Sequence, residues 1–184
     1  MVADDLVWKL YQRLGMSLHN CVIAERSMVL LIASLKSFGG DNPTPANVRN
    51  NQMERIRWLF GQTAGQLKIE MSIHFEVSEE TISAISLFVQ YRNELVHNVP
   101  IDLPQEGDPD HKAMEFYQYC ELVDAATFAA MGKLANVKPK KQRDASAQGV
   151  MAMREFLRGT ESIANETDIP PPREFIPFSQ FTGF

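Results

Sequence analysis

The chain has 184 residues, 45% of them apolar and 22% charged, and a formal net charge of −5. That length builds one domain, or one domain with extensions, and the composition is ordinary for a soluble globular protein with a proper core. An acidic balance excludes a protein that coats nucleic acid non-specifically, so any RNA contact has to come from a local basic patch.

Asp4 and Asp5 open the chain where a secretory leader would carry basic residues, and they suit a helix N-terminus. Leu6, Leu10, Leu14, Leu18 and Val22 then recur every four residues, which predicts a first helix with an apolar stripe, ending at Gly39-Gly40. The densest apolar run, 28–33, is too short to cross a bilayer, so no membrane is expected and the location is expected to be cytoplasmic. His19 within this helix reads as a satisfied structural histidine. Thr44-Pro45 restarts the chain as a second helix, with Ile56, Leu59, Phe60 and Leu67 on its buried stripe and Gly61 and Gly65 inside it. Met71, Ile73, Phe75 and Val77 alternate, but a lone strand has nothing to pair with, so this segment reads as a helix end and a loop.

Ser78 caps a third helix, with Glu79 and Glu80 in its first turn and Ile82, Ile85, Phe88 and Val89 on its core stripe. Pro100 stops it. Just before that stop stand Arg92, Asn93 and His97. Asn93 and His97 are four apart and share a face, while Arg92 lies on the neighbouring strip. A guanidinium fork suits phosphate oxygens, and an imidazole is the side chain that moves protons near neutrality. The alternative for these residues is a surface arginine and a helix-terminal histidine that interacts with the last carbonyls and the helix dipole.

Arg-Asn followed by three residues and His, at the end of a helix in an all-helical domain, resembles the R-x4–6-H motif of the HEPN superfamily. The resemblance covers the helical middle of the chain, about 78–135, and rests on Arg92, Asn93 and His97. It implies a metal-independent endoribonuclease, of the kind found among toxins and defence proteins. In that chemistry arginine holds the scissile phosphate, histidine moves the proton of the 2′-hydroxyl or of the leaving oxygen, and asparagine orients them. It also implies a homodimer with the two motifs facing each other, and an antitoxin or regulatory protein as a further partner. A subset of the family that is silenced by nucleotide transfer carries tyrosine two residues after the histidine. Here that position is Val99, which argues against that regulation.

A loop rich in breakers, 98–109, follows the motif. A fourth helix, from about Asp110 to Ala135, has the cleanest periodicity of the chain: Ala113, Phe116, Tyr117, Cys120, Val123, Thr127, Phe128, Met131 and Leu134. Cys21 and Cys120, the only cysteines, lie in apolar helical patterns and read as buried free thiols. No Cys or His pair has ligand spacing, so neither a metal nor another cofactor is expected. Lys138, Lys140, Lys141 and Arg143 form a basic cluster in an extended stretch; they are candidate substrate-binding residues, with a solvated linker as the alternative. A short fifth helix is expected near 145–158. Three prolines, 170–172, then lead into Phe175, Phe178, Phe181 and Phe184. In an extended chain of three residues per turn the four rings line one side, and we expect them to dock in a groove on this body or on a second subunit.

The whole reads as an all-α protein: an up-and-down bundle of four main helices with a short fifth helix and an extended Pro/Phe-rich tail. The bundle is expected over 1–144, and the short helix and docked tail over 145–184. The expected function is a HEPN-like ribonuclease acting on RNA. The alternative is a non-catalytic helical interaction or dimerisation module that uses the same surface.

Overall fold

The computed structural model describes residues 2–35, 53–54, 56–98, 109–140, 155, 157–158 and 170–181. The fold is all-α, as composition and periodicity predict. Its bounded helices are α1 (Val2–Ala33), α2 (Ala64–His74), α3 (Glu79–His97) and α4 (Pro109–Leu134). One two-residue antiparallel pairing, β1 (Phe75–Glu76) with β2 (Lys138–Pro139), joins the end of α2 to the chain after α4. α4 packs against both α1 and α3, and α2 touches the same two helices.

The buried face of α1 is not the leucine stripe. Leu10 is buried, but Leu6, Leu14 and Leu18 are half-buried and Val22 is exposed. The reason is geometric. Steps of four residues advance about 40° each round a helix, so five such positions drift by about 160° off any one face. The side that meets the core instead runs through Ser17, Cys21, Ala24, Met28, Leu31, Ile32 and Leu35. The helix also stops at Ala33, before the glycines, where the Ser34 hydroxyl donates to the Leu31 carbonyl at 2.7 Å and competes with the backbone ladder. Gly39-Gly40 and Thr44-Pro45 lie outside the described residues.

Over Leu6–Ala33, α1 is long and apolar enough to cross a membrane, which corrects the expectation that no stretch approaches that length. Within this fold it is a packing partner of α4, and it carries Arg13 into an ion pair with Asp124. His19 is exposed.

The expected second helix is two pieces. Residues 56–60 are helical, the chain turns at 61–62, and α2 begins afresh from Thr63. Thr63 is an N-cap in a reciprocal capping box with Gln66: Gln66 N donates to Thr63 Oγ1 at 3.4 Å, and Thr63 N donates to Gln66 Oε1 at 2.8 Å. Gly61 falls in the turn. A methyl at Gly65 would meet only Thr63 Oγ1, at 4.0 Å, so neither glycine marks a close helix crossing. Leu59 and Leu67 are buried as expected, whereas Phe60 is exposed.

Of the helix end and loop read over 70–77, the helix end is present and the loop is in part a strand. α2 continues to His74, and Phe75 and Glu76 pair with Pro139 and Lys138. The partner that the segment lacked is part of the basic cluster, 64 residues further along, as the pairing of Phe75 with Pro139 defines.

α3 starts as predicted. The Ser78 side chain accepts from Thr81 N at 3.2 Å, with Glu79 and Glu80 in the first turn. Its buried residues are Thr81, Ile85, Phe88, Tyr91, Glu94 and Leu95. α4 keeps its predicted stripe in the main: Ala113, Phe116, Cys120, Val123, Thr127, Met131 and Leu134 are buried, and Tyr117 and Phe128 are half-buried. Both cysteines are free and buried. Of the expected fifth helix, residues 155, 157 and 158 are described and helical, and Leu157 is fully buried. The division expected between 144 and 145 lies outside the described residues.

Candidate functional site

Arg92, Asn93 and His97 occupy the last turns of α3, next to the Asn98 C-cap, whose N–H donates to the Glu94 carbonyl at 2.9 Å. Arg92 Nη1 donates to Asn93 Oδ1 at 3.2 Å, so the guanidinium and the carboxamide are joined. Arg92 Nε also lies 2.9 Å from Glu25 Oε1 of α1, an ion pair whose side chains are 27% and 20% exposed. Glu25 is a part of the site that the sequence reading missed. His97 is exposed. Five residues apart, Arg92 and His97 point about 140° away from each other round the helix. Arg92 is therefore drawn to the α1 side, while Asn93 and His97 share the outer side.

Lys138 and Lys140 do not join this cluster within one chain. Lys138 and Lys140 line an open cavity of about 630 Å³ with Ser72, Ser78, Ile82 and Asn136, at the start of α3. Lys140 is tied down there: its backbone N–H donates to the His74 carbonyl at 3.0 Å and its ammonium to the Ser72 carbonyl at 2.6 Å. At about 1.5 Å per residue, the length of α3 separates this end from His97 by about 25 Å. Lys141 and Arg143 lie outside the described residues, as do Val99 and Pro100.

On the side of α3 turned to α4, two polar residues hold the C-terminal segment. The Tyr91 hydroxyl donates to the Glu174 carbonyl at 3.0 Å and accepts from Ile176 N at 3.1 Å. Glu94, only 8% exposed, accepts from Phe178 N at 3.0 Å through Oε1 and from Asn98 Nδ2 at 2.6 Å through Oε2. The rings interlock edge to face. Phe175 meets Tyr91 with centroids 5.1 Å apart, and Phe178 and Phe181 meet Tyr119 at 5.1 and 5.4 Å. The tail thus docks on its own body, one of the two places expected for it; Phe184 lies outside the described residues. Burial raises the pKa of Tyr91, partly offset by the Ile176 N–H, and burial together with the Glu94 carboxylate raises that of Tyr119.

A second polar cluster lies between α1 and α4. Asp124 accepts from Ser17 Oγ at 3.2 Å and from Asn20 Nδ2 at 3.1 Å, and Arg13 Nη1 lies 2.8 Å from it. Cys21 Sγ is 3.7 Å from Thr127 Oγ1. Burial pushes both thiols up to about 12, which keeps them protonated and unreactive at neutral pH. Arg13, Ser17 and Asn20 share one face of α1 at steps of four and three, the signal that would have found this seam. Among the described residues, no group of three His, Cys, Asp or Glu side chains is placed to hold a metal.

Comparison with protein-family models, curated proteins and solved structures finds no match to this chain.

Proposed function

We propose that the protein is a HEPN-like endoribonuclease that uses the RNA's own 2′-hydroxyl as nucleophile and needs no metal. The observation that carries this reading is the end of α3. A guanidinium is hydrogen-bonded to a carboxamide, and that carboxamide stands one helical turn from an exposed imidazole, at the close of a helix in an all-α fold. Arg92 would neutralise charge building on the phosphorus, Asn93 would hold the guanidinium in place, and His97 would transfer the proton. Glu25 fixes Arg92 Nε, leaving other guanidinium N–H groups for phosphate oxygens.

The products would be a 2′,3′-cyclic phosphate and a 5′-hydroxyl. The test is incubation of purified protein with end-labelled RNA in EDTA, followed by mapping of the ends. His97→Ala should lower the rate by about 10²–10⁴ without loss of helical signal. Arg92→Lys should fail as well, because a point charge does not replace the fork. DNA should not be cut. Metal-dependent cutting, 5′-phosphate ends or full activity of His97→Ala would reject the mechanism.

A second reading is a non-catalytic interaction module. What favours it is that Arg92 already has a carboxylate partner and that Lys138 and Lys140 stand at the far end of α3. Absence of cleavage of any RNA tested would select it.

A further inference from the structure

The tail is held differently from the rest of the fold. Its backbone makes contact with side chains of the body: Tyr91 takes Glu174 and Ile176, and Glu94 takes Phe178. Apart from the single 3-10 turn at Phe178–Gln180, residues 170–181 belong to no helix or strand. Prolines 170–172 and 177 favour an extended shape before docking, which lowers the entropy lost on binding. Specificity comes from rings at every third residue, set against an aromatic floor of Tyr91, Phe116 and Tyr119. These are the features of a peptide in a recognition groove.

The docked state is also imperfect in one respect. The Tyr119 hydroxyl is buried and has no hydrogen-bond partner among the described residues, while its ring is covered by Phe178 and Phe181. A buried hydroxyl with no partner among the described residues is a cost that this groove carries as it is packed.

We propose that the α3–α4 groove is a recognition site for extended segments with an aromatic at every third residue, filled in cis by the chain's own tail and open to the same tail from a second copy. The contacts with the tail are made by Tyr91, Glu94, Phe116 and Tyr119 and do not use Arg92 or His97, so this holds whether or not the protein cuts RNA. The cis tail competes at an effective concentration of roughly millimolar across the short 159–169 connection, which keeps trans binding weak until the cis contact is loosened.

The test is fluorescence anisotropy of a fluorescein-labelled peptide of residues 170–184 added to the full chain. A full chain carrying Phe178→Ala and Phe181→Ala should bind the peptide at least about tenfold more tightly than wild type. Adding Tyr91→Phe to that chain should weaken the peptide again, because its hydroxyl makes two of the backbone contacts. Equal binding to wild type and to the double variant, or binding to neither, would overturn the proposal. Should the double variant lose its helical circular dichroism, a protease site placed within 159–169 of the otherwise wild-type chain decides instead. After cutting, the tail should leave the body on dilution to nanomolar concentration while the body keeps its helical spectrum. A tail that stays bound, or a body that unfolds, would mean that the segment is an integral part of the core.

Discussion

At the scale of single residues, the two tyrosines facing the tail make opposite use of their hydroxyls. Tyr91 donates and accepts, whereas Tyr119 does neither among the described residues. A made hydrogen bond contributes about 0.5–1.5 kcal/mol net, and a buried unmade one costs about 1–3 kcal/mol. Tyr91→Phe should therefore destabilise the chain by about 1 kcal/mol, while Tyr119→Phe should leave it unchanged or more stable. Chemical denaturation of the two variants checks this, and equal losses from both would refute it. The cysteines give a pH dependence with a definite sign. Cys21 and Cys120 are raised from 9.0 to about 12 in the folded chain. Above pH 9 the unfolded thiols ionise and the folded ones do not, so unfolding releases protons. Their stabilising share is complete below pH 9 and is lost as pH rises toward 12, by up to about 1.4 kcal/mol per unit for each thiol. The denaturation midpoint should fall over that window, less steeply in Cys21→Ala relative to its own value at pH 7.

At the scale of elements, the decisive local signals are caps. Thr63→Ala should cost about 1 kcal/mol, because α2 starts on the Thr63–Gln66 box rather than continuing an upstream helix. A thermal melt of that variant measures it, and no change would mean that packing alone sets the start of α2. The start of α3 was legible because Ser78 is a strong cap, and α4 because apolar residues mixed at three and four keep to one face of a helix. Of the stripe read on α3, Ile85 and Phe88 are buried, while Ile82 is exposed and Val89 half-buried. The α1 stripe misled because strict steps of four do not stay on a face. Pairing of β1 was hidden for another reason. Phe75-Glu76 meets Lys138-Pro139 across the whole of α3 and α4, and nothing local in either segment names the other. The tail announced its docking through its phenylalanines, but its receptors did not stand out. Tyr91 and Glu94 are polar residues three apart inside an apolar stripe, and such a pair shows its purpose only once the segment it binds is in place. The three motif residues lie in the last turns of α3, where Pro100 led us to expect them; the Glu25 partner on α1, which draws Arg92 away from His97, depended on a helix packing that no spacing encodes.

At the scale of the whole molecule, the proposed cleavage calls for a second proton carrier. Transesterification has one group accept a proton while another donates one, and among the described residues the end of α3 offers one imidazole, His97, for the task. Two copies about a twofold axis would supply the pair. α1 has a surface suited to this. Trp8, Tyr11, Val22 and Leu30 fall within a sector of about 100° on its outer side and are 62%, 47%, 38% and 43% exposed. Val22 is one turn from Glu25, which holds Arg92, so a second copy seated on this stripe lies beside the motif. We predict a homodimer in which both His97 side chains line one cleft, with Lys138 and Lys140 of each copy about 25 Å outward along α3. Two measurements follow. Trp8→Asp with Tyr11→Asp should convert a dimer to a monomer by light scattering at micromolar concentration, with the helical spectrum retained. Lys138→Ala with Lys140→Ala should weaken a long RNA and leave a dinucleotide unaffected, since only the long strand reaches that far from the cleft. A wild-type chain that scatters as a monomer with and without RNA would remove the dimer, and with it the shared site. Equal loss for the dinucleotide and the long RNA would place the lysines inside the cleft, against the geometry of α3.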